Sequence, residues 1–424
     1  MKAAYVMFLF VLLTFLIASA VAPLPTYTPA LHQGKQTRDA LIMSYFKQAF
    51  TYKEILLCLA AAHNIVISIK TLKRTLRRLG LRRRTPCTDE VLTRAVVHIQ
   101  NELKESGQML GYKTMWKRLQ EKGLVIARDT VRAILLQLDG DGVRERGRRR
   151  LRRRQYISPG PNFVWHVDGY DKLKPYGFAV HGAIDGYSRR ILWIEVGVTN
   201  NNPQVIAKYY LETVLQLKTL PCILRCDHGT ENVHLRDVQE YLRRNGTDDF
   251  AGVNSFMQGK SSSNQRIEAW WGILRKQCVN FWMNLFKDMI SFGLLDTSDP
   301  VHIHALRFSF LDLIQDDVDR MAMEWNRHLI ETKKNAEAPR GKPDIMYFNP
   351  QLYMTQSCGF DCPEPEVETI LNGLHSTGNI PENHDPDFTK LINLALPHWE
   401  LPCDVDSALS LYADILDRLS KIHV

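Results

Sequence analysis

The front of the chain alternates apolar and polar positions with the period of α-helices. Apolar side chains recur at three- and four-residue spacing over residues 39–49 and 55–60, which predicts two helices. A third is predicted between Ser68, a favourable N-cap residue, and Gly80, a helix-ending residue. Its leucines line one face and its Lys and Arg side chains cover the other. Two short helices joined by a turn, the second strongly basic, are typical of a helix-turn-helix.

A similar pattern follows further along the chain. Residues 90–105 have the spacing of an amphipathic helix, a second helix is predicted to end near Gly123, and a third runs from about Asp129 to Leu138. These residues predict a second helix-turn-helix-like unit that binds DNA. The alternative is that both regions are small helical bundles without a role in nucleic-acid binding.

The periodicity changes from helical to strand-like after residue 161. Three strands, a helix, a strand and two further helices follow, which is an α/β order with an antiparallel start. The predicted strands lie at 164–171, 177–189, 191–197 and 222–227, and the helices at 203–217, at about 235–244 and from Asn264 onward.

The first 22 residues form an apolar segment of a different kind. Lys2 precedes an apolar run that extends to Ile17, and small residues follow. This is typical of a secretory signal peptide with cleavage after Ala20 or Ala22, and its length is also marginal for a membrane anchor. A wrongly assigned start or an upstream exon would produce the same stretch. We therefore leave residues 1–34 out of the fold prediction.

Composition and charge narrow the classes of protein. The 424 residues are 45% hydrophobic and 24% charged, and the eight cysteines include no Cys-x-x-Cys pair. This excludes a wholly disordered chain, a collagen-like fibre, a polytopic membrane protein and a disulfide scaffold. Residues 35–154 carry a net charge of +17, residues 157–350 of −1 and residues 351–424 of −9. A basic front beside a neutral middle predicts a polyanion-binding module attached to another domain.

The basic front ends in an exceptionally dense run of arginines. Residues 144–154 read RERGRRRLRRR, with eight arginines in eleven positions. Such a run repels itself, which disfavours a packed element. It is able to neutralise several phosphates of a duplex, or to act as a nuclear localisation signal, and these two roles are compatible. A solvated linker is the alternative.

Three acidic residues occupy distinctive places in the α/β region. Asp168 lies in the first strand, Asp227 at the end of the fourth and Glu268 on the last helix, with 58 and 40 residues between them. Asp185, after the second strand, is either a turn residue or part of the same site. Cys226 is interpreted as a buried apolar residue.

The motifs around these carboxylates resemble the catalytic core of retroviral integrases and related transposases. The similar segments are Trp165-His-Val-Asp168, Ile184-Asp-Gly-Tyr-Ser-Arg189, Cys226-Asp-His-Gly-Thr-Glu-Asn232, Ser261-Ser-Ser-Asn-Gln-Arg-Ile-Glu268, EWNRHLI at 324–330 and PRGKPDIMYF at 339–348. The chain departs from the family's pattern in His228, where Asn is usual, and in a modest insertion before Glu268. His166 and His228 flank the site and either contact substrate or pack.

The resemblance implies an α/β ribonuclease H-like core, a mixed five-stranded sheet flanked by helices, preceded by all-α helix-turn-helix domains. It implies an enzyme, a polynucleotidyl transferase or endonuclease with a D-D-E triad, for metal-dependent DNA cleavage and strand transfer in DNA integration. Asp168, Asp227 and Glu268 would be both catalytic and metal-binding, holding two Mg²⁺ or Mn²⁺ ions, since carboxylates suit these hard cations.

The second helical unit resembles the helix-turn-helix upstream of the core in bacterial insertion-sequence transposases. It begins at Gly111-Tyr112 and contains Arg128-Asp-Thr-Val. Two such units replace the zinc module of retroviral integrases, and no zinc site is evident from the cysteine and histidine spacing. The expected DNA-binding residues are Lys73, Arg74, Arg77, Arg78, Arg128, Arg132, Arg148, Arg149, Arg150, Arg152, Arg153, Arg154, Asn264 and Arg275. Trp270 and Trp271 are assigned to the core.

The sequence therefore divides into six parts. They are an apolar segment (1–34), a helix-turn-helix-like domain (35–86), a second one (87–142), an Arg-rich linker (143–156), the integrase core (157–350) and an acidic tail with short helices (351–424). The tail has an apolar stripe within 407–420, which is expected to dock on a partner protein or on the core. DNA and a second copy of the chain, on paired DNA ends, are the other expected partners.

Two alternatives remain open at this point. One is a host-captured, transposable-element-derived protein that binds DNA without cutting it. The other is a secreted or anchored protein, as the N-terminal segment suggests, whereas the arginine run and the proposed function favour the nucleus. The fold class also supports ribonuclease activity as well as DNA strand transfer.

Overall fold

The computed structural model describes residues 37–48, 50–82, 88–104, 110–140, 158–259, 264–331, 339–376 and 380–422. The chain divides into two compact units, Met1–Thr85 and Pro86–Val424. The apolar N-terminal segment and the arginine run at 144–154 lie outside the described residues. None of the described helices is long and apolar enough to cross a membrane.

Three short helices form the described part of the first unit. They are α1 (Arg38–Lys47), α2 (Tyr52–His63) and α3 (Ile69–Arg78). Thr51 and Glu54 form a reciprocal capping box at the start of α2, and the Ser68 side chain accepts a hydrogen bond from the Thr71 N–H at the start of α3. Gly80 follows α3 with φ +70°, a conformation that favours glycine. The predicted cap and stop of α3 are thus confirmed.

Three more helices open the second unit. They are α4 (Asp89–Lys104), α5 (Tyr112–Glu121) and α6 (Arg128–Leu138). Arg118 on α5 is 3% exposed and donates to Glu102 on α4 at 2.5 Å and to Glu324, in the C-terminal half of the chain, at 2.6 Å. These helices therefore pack against the α/β region through a buried ion-pair network.

A five-stranded mixed sheet with the order β3-β2-β1-β5-β6 forms the centre of the second unit. Strands β1, β2 and β3 pair antiparallel, and β5 pairs parallel with both β1 and β6. The expected mixed five-stranded sheet is confirmed, although the sequence did not predict β6. The strands are β1 (Val164–Tyr170), β2 (Ala179–Asp185), β3 (Ile191–Gly197), β5 (Ile223–Cys226) and β6 (Phe256–Gln258), and the short β4 (Thr219–Leu220) pairs with β7 (Phe360–Asp361).

Helices cover both faces of the sheet, as expected. The face that carries Val180 and Ile194 packs against α9, α10 and α11, and the face that carries Trp165 and Val167 packs against α7, α8 and α13. The helices are α7 (Pro203–Leu217), α8 (Val233–Leu242), α9 (Gln265–Leu274), α10 (Asn280–Ser291), α11 (Pro300–Asn326), α12 (Pro343–Phe348) and α13 (Glu364–Ser376). A π-helical turn, Arg275–Val279, links α9 to α10.

The acidic tail continues the core. Helices α14 (Pro386–Ala395) and α15 (Val405–Ile422) follow α13. The apolar stripe of α15 is buried in the cluster that contains α11, with Ile415 fully buried. Of the two partners expected for this stripe, the core is the one that covers it.

Glu195, on β3, has a raised pKa because its carboxylate is largely buried near other acidic side chains. Burial and the charges of Asp319 and Glu212 raise the pKa of Glu195, on β3, to about 8, and burial raises that of Asp319 to about 6. The ionised form of Glu195 therefore costs folding free energy. This cost is absent below the pKa of an unfolded Glu, grows as pH rises from there to about 8, and is constant above about 8.

We expect Glu195→Gln to stabilise the second unit by about 1–2 kcal/mol at pH 9, and to leave it unchanged at pH 5. The measurement is denaturant unfolding followed by tryptophan fluorescence. All eight tryptophans lie beyond residue 85, so this signal reports on the second unit. The exposed Glu368→Gln is the matched control. A variant that is less stable at pH 9 would contradict the expectation.

Candidate active site

Asp168 lies in β1, at the centre of the sheet, on the face that α9 covers. Its backbone pairs with Gly182 of β2, and its Oδ2 accepts a hydrogen bond from the indole N–H of Trp271 on α9 at 2.8 Å. His166, two residues earlier on the same face, lies 2.6 Å from Asn264 at the start of α9. The strand and the helix together fix the Asp168 carboxylate, which remains partly exposed.

Asp227 follows directly after β5, the strand that pairs parallel with β1. His166 and Arg225 are the last paired residues, and Asp168 and Asp227 each lie two residues beyond them. The two carboxylates are within electrostatic reach, since the charge of Asp227 raises the pKa of Asp168. Oδ1 of Asp227 accepts hydrogen bonds from the backbone N–H of Gly229 at 3.3 Å and the side-chain N–H of Asn232 at 3.4 Å. The turn that follows β5 therefore orients this carboxylate.

Glu268 lies in the first turn of α9 and is exposed. Its charge and that of Asp227 both raise the pKa of Asp168, so the three carboxylates lie within electrostatic reach of one another. Three different elements, β1, the turn after β5 and α9, thus supply the three acidic residues singled out in the sequence.

The charges of the site oppose ionisation. Burial raises the pKa of Asp168 to about 7, with further contributions from Glu268 and Asp227, while the hydrogen bond from Trp271 opposes the shift. Burial and the charge of Asp227 also raise the pKa of Glu268. A group of carboxylates that raise one another's pKa is stabilised by a cation.

Trp271 is a site residue that the sequence reasoning missed. It is buried, as expected for a core tryptophan, and it lies against the ring of Tyr170 with centroids 5.1 Å apart. Its indole N–H nevertheless bonds to Asp168, 103 positions away in sequence. Tryptophan is a donor only, so this bond fixes the orientation of the carboxylate without competing for a cation.

We expect Trp271→Phe to weaken catalysis and metal affinity about 10–100-fold, since it removes a hydrogen bond that orients a proposed metal ligand. The measurement is the rate of strand cleavage as a function of Mg²⁺ concentration. Trp270→Phe is a matched control, because the Trp270 indole N–H is buried without a hydrogen-bond partner in the described structure. Equal losses in the two variants would show that Trp271 acts only through packing.

Asn264 does not take the place that the helical periodicity assigned to it. It is 1% exposed, its Nδ2 donates to the Val167 carbonyl at 2.8 Å, and its Oδ1 lies 2.6 Å from His166 Nδ1. Its expected DNA contact is therefore corrected: the amide ties the start of α9 to β1. His166 is fully buried and also packs.

The other two positions near the site are now assigned. Asp185 is fully buried and accepts hydrogen bonds from the N–H groups of Asn162 and Ser188, each at 2.7 Å, so it is a turn residue of the β2–β3 hairpin. Cys226 is buried, as expected, and burial raises the pKa of its thiol to about 12. His228 is exposed and remains a candidate for substrate contact.

The oxygen atoms that the three carboxylates offer are of the kind that binds divalent metal ions. Carboxylate oxygens are the ligands that Mg²⁺ and Mn²⁺ prefer, and Asp168, Asp227 and Glu268 offer only such oxygens. Among the described residues, however, no group of three or more His, Cys, Asp or Glu side chains is already gathered as a metal site. The three carboxylates lie close enough to affect one another's charge without forming a closed set of ligands.

The expected DNA-binding residues are surface residues where the structure describes them. Lys73, Arg74, Arg77 and Arg78 are exposed on α3, and Arg78 pairs with Asp39. In the second unit, Arg275 is exposed after α9, and on α6 Arg128 and Arg132 lie over the rings of Trp116 and Tyr112, 5.1 and 5.9 Å from the centroids. The expected contacts of the arginine run fall on Arg148, Arg149, Arg150, Arg152, Arg153 and Arg154, which lie outside the described residues.

Comparison with known families identifies the region that holds these carboxylates. Residues 155–354 match the family model of the integrase core domain. The match spans β1 to α12 and includes all three acidic residues, Asp168, Asp227 and Glu268. Together with the five-stranded sheet, it confirms the ribonuclease H-like core. No curated protein matches the chain.

Proposed function

Because residues 155–354 match the integrase core domain family, we propose that this protein cuts DNA strands and joins them to new partners. Integrase core domains belong to the polynucleotidyl transferase class, generally use divalent metal ions and bind DNA. The finer assignment is metal-dependent cleavage and strand transfer by the triad of Asp168, Asp227 and Glu268, with two Mg²⁺ or Mn²⁺ ions.

One observation carries this assignment. A strand, a turn and a helix hold three carboxylates within electrostatic reach of one another, and the pKa of Asp168 rises to about 7 partly through the charges of the other two. Grouped carboxylates with raised pKa values are more typical of functional sites than of a folded surface. The family match makes phosphodiester chemistry the best-supported function for them.

The reaction is an in-line displacement at phosphorus. In cleavage, a water oxygen attacks the phosphorus, the bond to the 3′ oxygen breaks, and that oxygen gains a proton to become a 3′-hydroxyl. In joining, the oxygen of this hydroxyl attacks the phosphorus of a second phosphodiester and loses its proton. The bond from that phosphorus to its original 3′ oxygen breaks, and the released oxygen gains a proton to become a new 3′-hydroxyl. Bound divalent ions supply charge stabilisation for the attacking and leaving oxygens. Asp168 is held by β1 and Trp271, Asp227 by its turn and Glu268 by α9, so the chain presents all three carboxylates from ordered elements.

The surrounding parts fit DNA as the substrate. The exposed cations of α3 lie opposite its buried Leu72 and Leu76, so the helix presents a basic face that suits a duplex groove. We propose that Lys73 and Arg74 contact DNA, together with Arg128 and Arg132 of α6. Joining two ends requires a second copy of the chain, and integrase-family proteins often oligomerise. The nucleus is the compartment that this function favours.

A protein that binds DNA without cutting it is the second candidate. The observation that favours it is the lack of a preformed group of three metal-binding side chains in the described part of the chain. In that case the carboxylates persist in the fold while the chemistry is lost.

The experiment that separates the two candidates uses the full chain with end-labelled duplex DNA. We expect nicking or joining with Mg²⁺ or Mn²⁺ that stops when EDTA is added. Binding that is tight and salt-sensitive, with no cleavage in either metal, would support the second candidate. A protein that remains strictly monomeric on paired DNA ends would contradict the proposed oligomer.

A further inference from the structure

Arg225 lies directly beside the carboxylate group. It is on β5 two residues before Asp227, and alternate residues of a strand project from the same face of a sheet. Its Cα partner on β1 is the buried His166. The guanidinium is partly exposed and donates to the thioether sulfur of Met257 at 3.3 Å. A positive charge thus borders the acidic site on its N-terminal side.

Two more arginines, Arg266 and Arg189, lie near Arg225. Arg266, on α9, donates to the carbonyl of Gly186 in the β2–β3 turn at 3.0 Å, and Arg189 of the same turn donates to the carbonyl of Pro339 at 2.7 Å. Both are partly exposed. The three arginines are close together: the charges of Arg225 and Arg266 both interact with His166, and the charge of Arg266 interacts with that of Arg189. We name Arg189, Arg225 and Arg266 the arginine strip.

Two members of the strip, Arg189 and Arg225, carry charges without an ion-pair partner among the described residues. The Nε of each is also buried without a hydrogen-bond acceptor. Asp185 lies within electrostatic reach of Arg189, but its oxygens accept hydrogen bonds from Asn162 and Ser188. Burial and the charge of Arg266 lower the pKa of Arg189 to about 10, which is the direction expected of a cation held near another cation without a counter-ion.

His166, beneath the strip, is fully buried and bonds with Asn264. The charge of the strip therefore rests on guanidinium groups. These match phosphate geometry with paired N–H donors and are the usual protein partners of phosphodiesters.

We propose that the arginine strip binds the backbone phosphates of the nucleic-acid strand that enters the carboxylate site. Nothing in the sequence reasoning assigned these three residues a function. The inference rests on the proposed function in taking a polynucleotide as substrate, and it adds the direction of the strand: from the β2–β3 turn, past Arg266 and Arg225, toward Asp227.

The test measures binding alone, in the full chain with Asp168→Asn to prevent cleavage. We compare this parent with its Arg225→Gln/Arg266→Gln version by fluorescence anisotropy on a labelled oligonucleotide over a range of salt concentrations. Loss of two phosphate contacts lowers the slope of log Kd against log salt by about 1.4–1.8. We also expect Kd to rise about tenfold near 0.15 M salt. The slope distinguishes lost phosphate contacts from a general loss of affinity.

Matched variants control for charge and folding. Arg244→Gln removes the same charge from the opposite side of the sheet, where Arg244 pairs with Glu366 at 3.0 Å, and is expected to leave the slope unchanged. The Arg225→Lys/Arg266→Lys version keeps both charges and is expected to retain most of the salt slope that Arg225→Gln/Arg266→Gln loses. Arg225→Gln alone removes only a bond to sulfur, so this variant should fold even if the double variant does not, and its slope is expected to fall by about half as much.

Each outcome decides something. An unchanged slope in the folded Arg225→Gln variant would overturn the strip while leaving the proposed function in place. A reduced slope together with no cleavage by the wild-type protein would support the strip and contradict the catalytic proposal. A parent that binds no nucleic acid at all would overturn both.

Discussion

Asp168→Asn and Glu268→Gln are each expected to lower metal-dependent DNA cleavage by at least about a thousandfold. Both changes keep the size of the side chain and remove the negative charge that attracts a divalent cation. Asp168 lies at the centre of the sheet and accepts the Trp271 hydrogen bond, so its loss should be at least as severe as that of Glu268. DNA binding in the absence of cleavage should persist, because neither change removes a cation.

The measurement is the initial rate of nicking with saturating Mg²⁺ on the same labelled duplex. Asp237→Asn is the matched control: it removes a carboxylate from an exposed position on α8, where Asp237 contacts Arg236, and full activity is expected. Activity within tenfold of wild type in both Asp168→Asn and Glu268→Gln would remove these carboxylates from the mechanism and leave the integrase core without its assigned triad.

The second large effect is on stability. We expect Glu324→Ala to destabilise the second unit by about 3–5 kcal/mol, because it leaves Arg118 buried with half of its ion-pair network. Arg118 is 3% exposed, and Glu102 and Glu324 are 6% and 4% exposed at their side chains. Buried charges that lose a partner pay the full desolvation cost, whereas the intact network contributes little net stability.

Denaturant unfolding followed by tryptophan fluorescence measures this change. Lys421→Ala is the comparison, since it breaks the exposed pair with Asp417 on α15, where about 0.5 kcal/mol or less is expected. If the Glu324→Ala variant unfolds at the same denaturant concentration as wild type, the expectation is contradicted. Water would then solvate Arg118 when one of its ion-pair partners is removed.

The regular elements of the core were predictable because burial imposes a clear pattern of apolar residues along the sequence of each helix and strand. The limits of β3 and α7 match their prediction residue by residue, since a short apolar run marks the buried strand and Asn202 followed by Pro203 marks the helix start. Strands β6 and β7 have three and two residues, too few for a period to show. Their pairing depends on neighbours that are distant in sequence.

The candidate site was predictable to the level of its motifs. Asp168, Asp227 and Glu268 stand in recognisable local sequences, while the Trp271 hydrogen bond depends on how α9 crosses β1 and has no local signature. Asn264 was misplaced for a related reason. Helical periodicity sets it beside Glu268 and Arg275, yet the first turn of α9 is tucked against β1 and buries it.

The arginine strip lay beyond sequence reasoning because its members come from a turn, a strand and a helix. Arg189 and Arg266 lie in motifs that the sequence analysis quoted for their acidic residues, and Arg225 has no motif of its own, so nothing local connects the three. Charge runs are visible in one dimension. Charges that folding brings together can be recognised only from the structure, which shows which cations are close and which of them lack a counter-ion.

The docking of the C-terminal helices has a consequence for synthesis on the ribosome. Helix α15 packs with α11, and β7 pairs with β4, so residues near the end of the chain complete surfaces made much earlier. The part of α11 that α15 covers therefore stays exposed until α15 itself has been synthesised, and chaperones have a long interval in which to bind it. A premature stop codon just after residue 354 would release a chain with that surface permanently open, a substrate for quality-control proteolysis even though Asp168, Asp227 and Glu268 are all present.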